Sequence, residues 1–196
     1  MDCAPRGERD NGNGALMRIY PFVLFAYAKE MSPNEIITTV QDATYLTHGH
    51  RRAVTASVIY AFVLRQLLET PTKEAVDSAL TRAWHHVEEC EEYPHFEHIF
   101  SPDFAKTPRD AIRSGGYVVD TLTAALWCLL STDSYEECVL RAVNLGDDTD
   151  TTAAVAGSLA GALYGERAIP AAWVDAMQNK ELIDTLCAAF AYALSE

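Results

Sequence analysis

Positive charge is scarce in this chain. Its 196 residues carry 15 Lys and Arg against 28 Asp and Glu, a net charge of −13. Nucleic-acid phosphates are gripped by clustered basic side chains, so this balance excludes a general nucleic-acid binder. It leaves room for a small anionic ligand, which backbone N–H groups or a bound cation can hold locally. Cys-x-x-Cys pairs are also missing: Cys3, Cys90, Cys128, Cys138 and Cys187 are scattered and odd in number. A disulfide framework is therefore not expected, and a reducing cytoplasm fits best. No apolar run reaches membrane-spanning length; the best candidate, Ile19 to Ala28, contains Pro21 and is followed by Lys29. The first ten residues are too polar for a signal peptide and read as a disordered leader.

Alternating strand patterns are missing too, and almost every periodic segment reads as helix. Ser32-Pro33-Asn34-Glu35 is a capping box with proline at the first helical position. Apolar residues recur at helical spacing from His50 to Leu68, and a more polar helix is expected from Lys73 to Glu92. Val118 to Leu130 is apolar nearly all round, which places it inside a bundle. Ser134-Tyr135-Glu136-Glu137 is a second capping box, opening a helix expected to end at Gly146. Pro170 starts a short helix, and Asn179 caps the last, Lys180 to Leu194. Tyr93 to Arg113, rich in proline and mixed charge, reads as a long loop. The expectation is an all-α, orthogonally packed helical bundle in a single domain over residues 1–196.

The chemistry concentrates in Asn144-Leu145-Gly146-Asp147-Asp148-Thr149-Asp150-Thr151-Thr152, just before an apolar helix rich in small residues. Asp148 and Asp150, two apart, do not share a helix face and converge only in a loop and first turn. Converging carboxylates repel unless a cation lies between them. Magnesium or manganese prefers such oxygen donors, and Thr151 can add a neutral one. The competing reading is that Asp148 or Thr149 caps the helix and the other acids are solvated.

Other candidates are weaker taken alone. Gly12 and Gly14 flank Asn13 before a helix, where glycine permits positive φ and lets N–H groups approach a ligand; a common Asn-Gly turn looks the same. His48 and His50 precede Arg51-Arg52 and suit either a ligand or a cap. Gly115-Gly116 precedes Tyr117, which can stack on an adenine or pack against the bundle. His85, His86, Cys90, His95 and His98 suggest zinc, but the spacing is irregular and Glu88, Glu89, Glu91 and Glu92 intervene, which favours a hydrated acidic surface. Gly157-x-x-x-Gly161 predicts close packing of two soluble helices.

Gly146-Asp147-Asp148-Thr149-Asp150-Thr151, with Ala153-Ala154 and Gly157 to Gly165 behind it, resembles the C-terminal signature of the ADP-ribosylglycohydrolase family, of the type that reactivates dinitrogenase reductase. Asn11-Gly12-Asn13-Gly14-Ala15-Leu16-Met17-Arg18 is similar to that family's glycine-rich substrate loop. Thr47-His48 resembles the opening of its next helix, and Ser114 to Leu122 the stretch lining its nucleotide site. The resemblance implies the family's helical fold, hydrolytic removal of ADP-ribose from a protein or small molecule, and two magnesium or manganese ions. It makes Asp148, Asp150 and Thr151 metal ligands, and Asn11, Gly12, Asn13, Gly14, His48, Gly115, Gly116 and Tyr117 substrate-binding residues.

The chain departs from the family in one respect. The family's other metal ligands form a Thr-Asp-Asp cluster ahead of the glycine loop, and no such triplet occurs upstream of Asn11. The family's catalytic acid is expected in that same portion, so no catalytic residue is assigned here. Three oxygen donors completed by water would hold magnesium weakly. Two functions are therefore carried forward: a metal-dependent ADP-ribose hydrolase, and a non-catalytic remnant that binds ADP-ribose or a protein. Apolar bundle faces left uncovered would favour self-association.

Overall fold

The computed structural model describes residues 4–195; Cys3 and the first three positions of the expected leader lie outside them. Nine α-helices occur among these residues. They are α1 (Tyr20–Ala28), α2 (Pro33–Tyr45), α3 (Arg51–Glu69), α4 (Lys73–Val87), α5 (Val118–Leu130), α6 (Tyr135–Val143), α7 (Thr149–Tyr164), α8 (Ala171–Ala176) and α9 (Lys180–Ser195). No strand is formed among the described residues; one isolated antiparallel bridge joins Gly12 to Tyr117. The all-α expectation holds.

Local signals set the helix starts. Ser32 closes the expected capping box, its backbone N–H donating to Glu35 Oε2 at 2.8 Å. Ser134 Oγ accepts from the Glu137 N–H, while the Asp133 N–H bonds the Glu137 carboxylate. Helix ends were less legible. The polar helix expected to reach Glu92 stops at Val87, and α6 stops at Val143 rather than Gly146. The expected loop over 93–113 is a chain of four short 3₁₀ turns. Each tethers one apolar side chain or little more, Phe96, Ile99 and Phe104 among them.

Helix α3 is the axis of the molecule: fourteen of its residues are buried, and it packs against α2, α4, α5 and α7. As its composition requires, α5 is buried nearly all round. The Gly157 expectation is met on one side only. A Cβ there would touch Tyr135 Oη and Val139 Cγ2 at 3.4 Å, so α6 sits close, whereas Gly161 faces nothing within 4 Å. Helix α9 buries no residue and leaves Leu182, Leu186 and Tyr192 exposed; Met17 and Phe25 are exposed as well. None of the described helices is long and apolar enough to cross a membrane.

Residues 4–10, expected to be a leader without fixed structure, are tied to the start of α3. The Gly49 N–H donates to Pro5 O at 2.9 Å, and Glu8 pairs with Arg52 at 2.9 Å. The physical reason is a buried guanidinium that needs carboxylates around it.

Candidate functional site

Three connections between helices and the glycine segment ahead of the first helix meet in one region of the bundle. The turn from α6 into α7 is built by two left-handed residues in succession, Gly146 (φ +99°) and Asp147 (φ +55°). Aspartate tolerates this conformation better than most residues. The turn is stitched to the 114–116 loop: Ser114 Oγ donates to Gly146 O at 2.8 Å, and the Asp148 N–H donates to Ser114 O at 3.0 Å. That loop is stitched in turn to the glycine segment, with the Asn13 N–H on Gly116 O and the Val118 N–H on Asn11 O, both at 3.1 Å.

Asn13 is the centre of the arrangement. Its buried amide donates to Asp148 Oδ2 at 2.6 Å and to Thr121 Oγ1 at 2.8 Å. Asp148 occupies the N-cap position of α7 but makes no side-chain cap bond. The Thr151 N–H instead goes to Asp150 Oδ1 at 2.9 Å. Asn13, rather than the helix N-terminus, is the main partner of this carboxylate. The Asn13 amide holds the Asp148 carboxyl below the usual carboxylate range, against the opposing effect of partial burial, and the Thr151 hydroxyl adds to the lowering. The group is an anion at neutral pH and half-buried.

His48 does not open a helix; it lies in the connection between α2 and α3, its N–H bonded to Thr44 O at 2.9 Å. Arg18 donates to Thr47 Oγ1, and the same hydroxyl shares a 2.8 Å hydrogen bond with His48 Nδ1. The Cε1–Nε2 edge of the ring faces Gly12 and Gly14. Burial, with the Arg18 cation beside it, pushes the His48 pKa down, so the ring is neutral at pH 7. A neutral imidazole edge thus faces the glycine segment. His50 caps α3, its Nδ1 accepting from the Arg52 N–H.

Glycine at positions 12 and 14 permits positive φ, but neither residue uses it. Gly14 is required by contact: a Cβ there would lie 2.9 Å from His48 Cε1 and 3.2 Å from Nε2. Gly14→Ala is expected to displace the His48 ring, shift its ring proton resonances and lower the melting temperature by a few degrees, since overpacking costs about 1–3 kcal/mol. Gly12→Ala, whose Cβ would meet atoms only at 3.8 Å, serves as the silent comparison. Unmoved His48 resonances in Gly14→Ala would contradict this account.

Tyr117 is half-buried and packs against the core of the bundle. The Arg52 guanidinium lies 5.8 Å over its ring centroid. Arg52 is itself buried and held by Glu92 (2.7 Å) and Glu8 (2.9 Å). Three residues of this end were not singled out from the sequence: Thr121, Arg52 and Asp120. Thr121 falls one helical turn after Tyr117, a spacing that could have flagged it. Asp120 lies 3.9 Å from where a Gly115 Cβ would stand; burial pushes its carboxyl up, while Arg113 and His98 pull it back. Asn11 is spent locally, its amide donating to Glu8 O.

Asp148, Asp150 and Thr151 are hard oxygen donors on one turn, which suits one face of a magnesium or manganese ion. Among the described residues no group of three or more His, Cys, Asp or Glu is placed to hold a metal. The zinc alternative fails with it: His86 packs on Phe62, His98 bonds Thr123, and Cys90 contacts Thr55.

The class that emerges is an all-α bundle whose polar site is built on helix connections, joining an asparagine–glycine loop to the acidic start of a late helix. The chain belongs to the ADP-ribosylglycohydrolase family, whose model matches residues 2–195. It is 32% identical over 192 residues to the "ADP-ribosylarginine hydrolase Tri1" of Serratia proteamaculans (strain 568), covering 94% of this chain and 48% of that protein. It is 30% identical over 177 residues to the "ADP-ribosyl-[dinitrogen reductase] glycohydrolase" of Rhodospirillum rubrum, covering 90% of this chain and 54% of the relative. A solved structure titled "ADP-ribosylglycohydrolase-related protein complex" superposes with a TM-score of 0.80 at 34% identity, covering 97% of this chain and 63% of the other. The chain spans about half the length of the curated relatives it matches.

Proposed function

We propose that this chain acts in the hydrolytic removal of ADP-ribose from an ADP-ribosylated protein or small molecule, with an arginine linkage as the first substrate to try. The observation that carries the reading is the Asn13 amide on Asp148 Oδ2, a 2.6 Å bond between residues 135 apart in sequence. It joins the substrate loop of the family pattern to its acidic signature. The names of the relatives support an ADP-ribosyl substrate.

In this reading Asp148, Asp150 and Thr151 hold a magnesium or manganese ion, in pairs where the site is complete. The ion would act as Lewis acid and template for ribose hydroxyls. Asn13 fixes the Asp148 carboxylate, and the backbone N–H groups of Gly12 and Gly14, with His48 in its Nε2-protonated tautomer, offer donors to an anionic ligand. Gly115, Gly116 and Tyr117 form the opposite wall.

A second reading, binding without turnover, is favoured by one fact: Asp148, Asp150 and Thr151 all lie on a single turn, and no group of three or more His, Cys, Asp or Glu is placed to hold a metal among the described residues. One experiment separates the two. ADP-ribosyl-arginine and ADP-ribosyl-serine peptides are incubated with the chain, with magnesium or with a chelator, and released ADP-ribose is measured beside calorimetry with ADP-ribose. Magnesium-dependent release is the expected result. Calorimetric binding with no release selects the second reading, and neither signal overturns both.

A further inference from the structure

Away from this site, a cavity of about 660 Å³ opens between α4 and the 3₁₀ turns that follow it. Its walls are aromatic. The Tyr93 and Phe100 rings stack with centroids 5.9 Å apart, and Trp84 Nε1 donates to the Tyr93 hydroxyl at 3.1 Å, which fixes the three rings relative to one another. Ile99 lies beneath them, buried. Two exposed carboxylates, Asp77 and Glu97, complete the lining, and no basic residue belongs to it.

The cavity continues along α4. A second chamber of about 240 Å³ shares Asp77 and Ile99 with the first and adds Glu74. Its lysine, Lys73, is tied to Asp133 at 2.7 Å. Glu74, Asp77, Thr81 and Trp84 follow one another at spacings of three and four, so they form one stripe of α4. The groove is therefore an acidic stripe facing fixed aromatic rings, on a chain whose net charge of −13 already disfavours acidic partners.

We propose that this groove binds an arginine-bearing peptide segment of a partner protein. A guanidinium is the group that meets both demands. It is weakly hydrated and flat, so it stacks on an aromatic face, and its edge pairs with a carboxylate through two N–H bonds. The larger chamber has the size of an ordinary ligand pocket and holds one long side chain with its backbone. A second basic side chain, a few residues on, reaches Glu74. The groove is linked to the site described above only through a series of contacts. Tyr93 directly follows Glu92, whose carboxylate grips Arg52, and Arg52 covers Tyr117. A basic flank held here would help recruit a modified protein to the chain. That last link rests on the proposed hydrolase reading; the groove's affinity for the peptide does not.

The test uses a short unmodified peptide with two arginines, and the same peptide with lysine or citrulline in their place, titrated calorimetrically into the chain. The arginine peptide is expected to saturate, to weaken as salt rises, and to bind about tenfold more tightly than either substitute. The double variant Asp77→Asn, Glu97→Gln is expected to lose about tenfold in affinity, and Trp84→Leu a similar amount. Both acids are exposed, so the double variant should melt as the parent does. Equal binding of the citrulline or lysine peptide, no saturable binding, or an unchanged affinity in the double variant would overturn the proposal. ADP-ribose calorimetry on the same samples reports the other site independently.

Discussion

Replacing Asp148 with alanine is expected to lower the magnesium-dependent release of ADP-ribose by about a hundredfold or more, with the chain still folded. Loss of a residue that merely supports a metal ligand costs 10–100-fold, so loss of a ligand should reach at least the upper end. Asp148 is half-buried and also positions Asn13, whose amide would keep only Thr121. The structural cost is held to about 1–2 kcal/mol because water can replace the missing oxygen. Asp148→Asn sharpens the test. It keeps the shape but sets an amide against the Asn13 amide and removes the charge. Both variants should fail together in initial-rate assays while their melting temperatures stay near the parent. Unaltered turnover in either would remove the acidic turn from the site.

The same carboxylate fixes a sign for pH. Its folded pKa lies below the ordinary value of about 3.9, so its stabilising bond is fully present above that value. The contribution is lost as pH falls through the lower folded pKa. Asp148 therefore adds no pH dependence between 5 and 8, and any loss of activity there must come from another group.

The largest effect on stability is expected from Arg52→Ala. Arg52 and Glu92 are 6% and 8% exposed, and their Nε–Oε2 contact is 2.7 Å. Removing one partner leaves a buried, uncompensated carboxylate, at a cost of about 3–5 kcal/mol. For a chain of this size that is a fall in melting temperature of roughly 6–20 °C. It also strips the cation from Tyr117 and releases Glu8, so residues 4–10 should become accessible to protease. Arg52→Met with Glu92→Leu should recover much of the loss, because an apolar pair of similar volume needs no neutralisation. A melting temperature within a degree of the parent in Arg52→Ala would show that the network carries no structural weight.

Residues differed in how plainly they announced themselves. Ser32 and Ser134 declare helix starts because a cap and its glutamate lie three residues apart. The whole interaction is local. Val118 to Leu130 declares a central helix because its apolar residues leave no polar face. Asp148 and Asp150 suggested convergence through their spacing, and the resemblance to a family supplied the partner loops. Gly14 was noticed for the wrong reason: its importance is the nearness of His48, which comes from a connection thirty-four residues later.

By itself the sequence determined what depends on neighbours along the chain: helix content, most helix starts, the buried helices, and the polar turn that opens α7. Only the tertiary structure decided that Arg52 is buried beneath Tyr117, that Asn13 reaches Asp148, and that Trp84, Tyr93 and Phe100 line one groove with two acids. The reason is physical. Capping and amphipathic periodicity act within one or two helical turns, whereas a buried charge or a close approach is defined by atoms from distant segments, whose positions exist only once the bundle has packed.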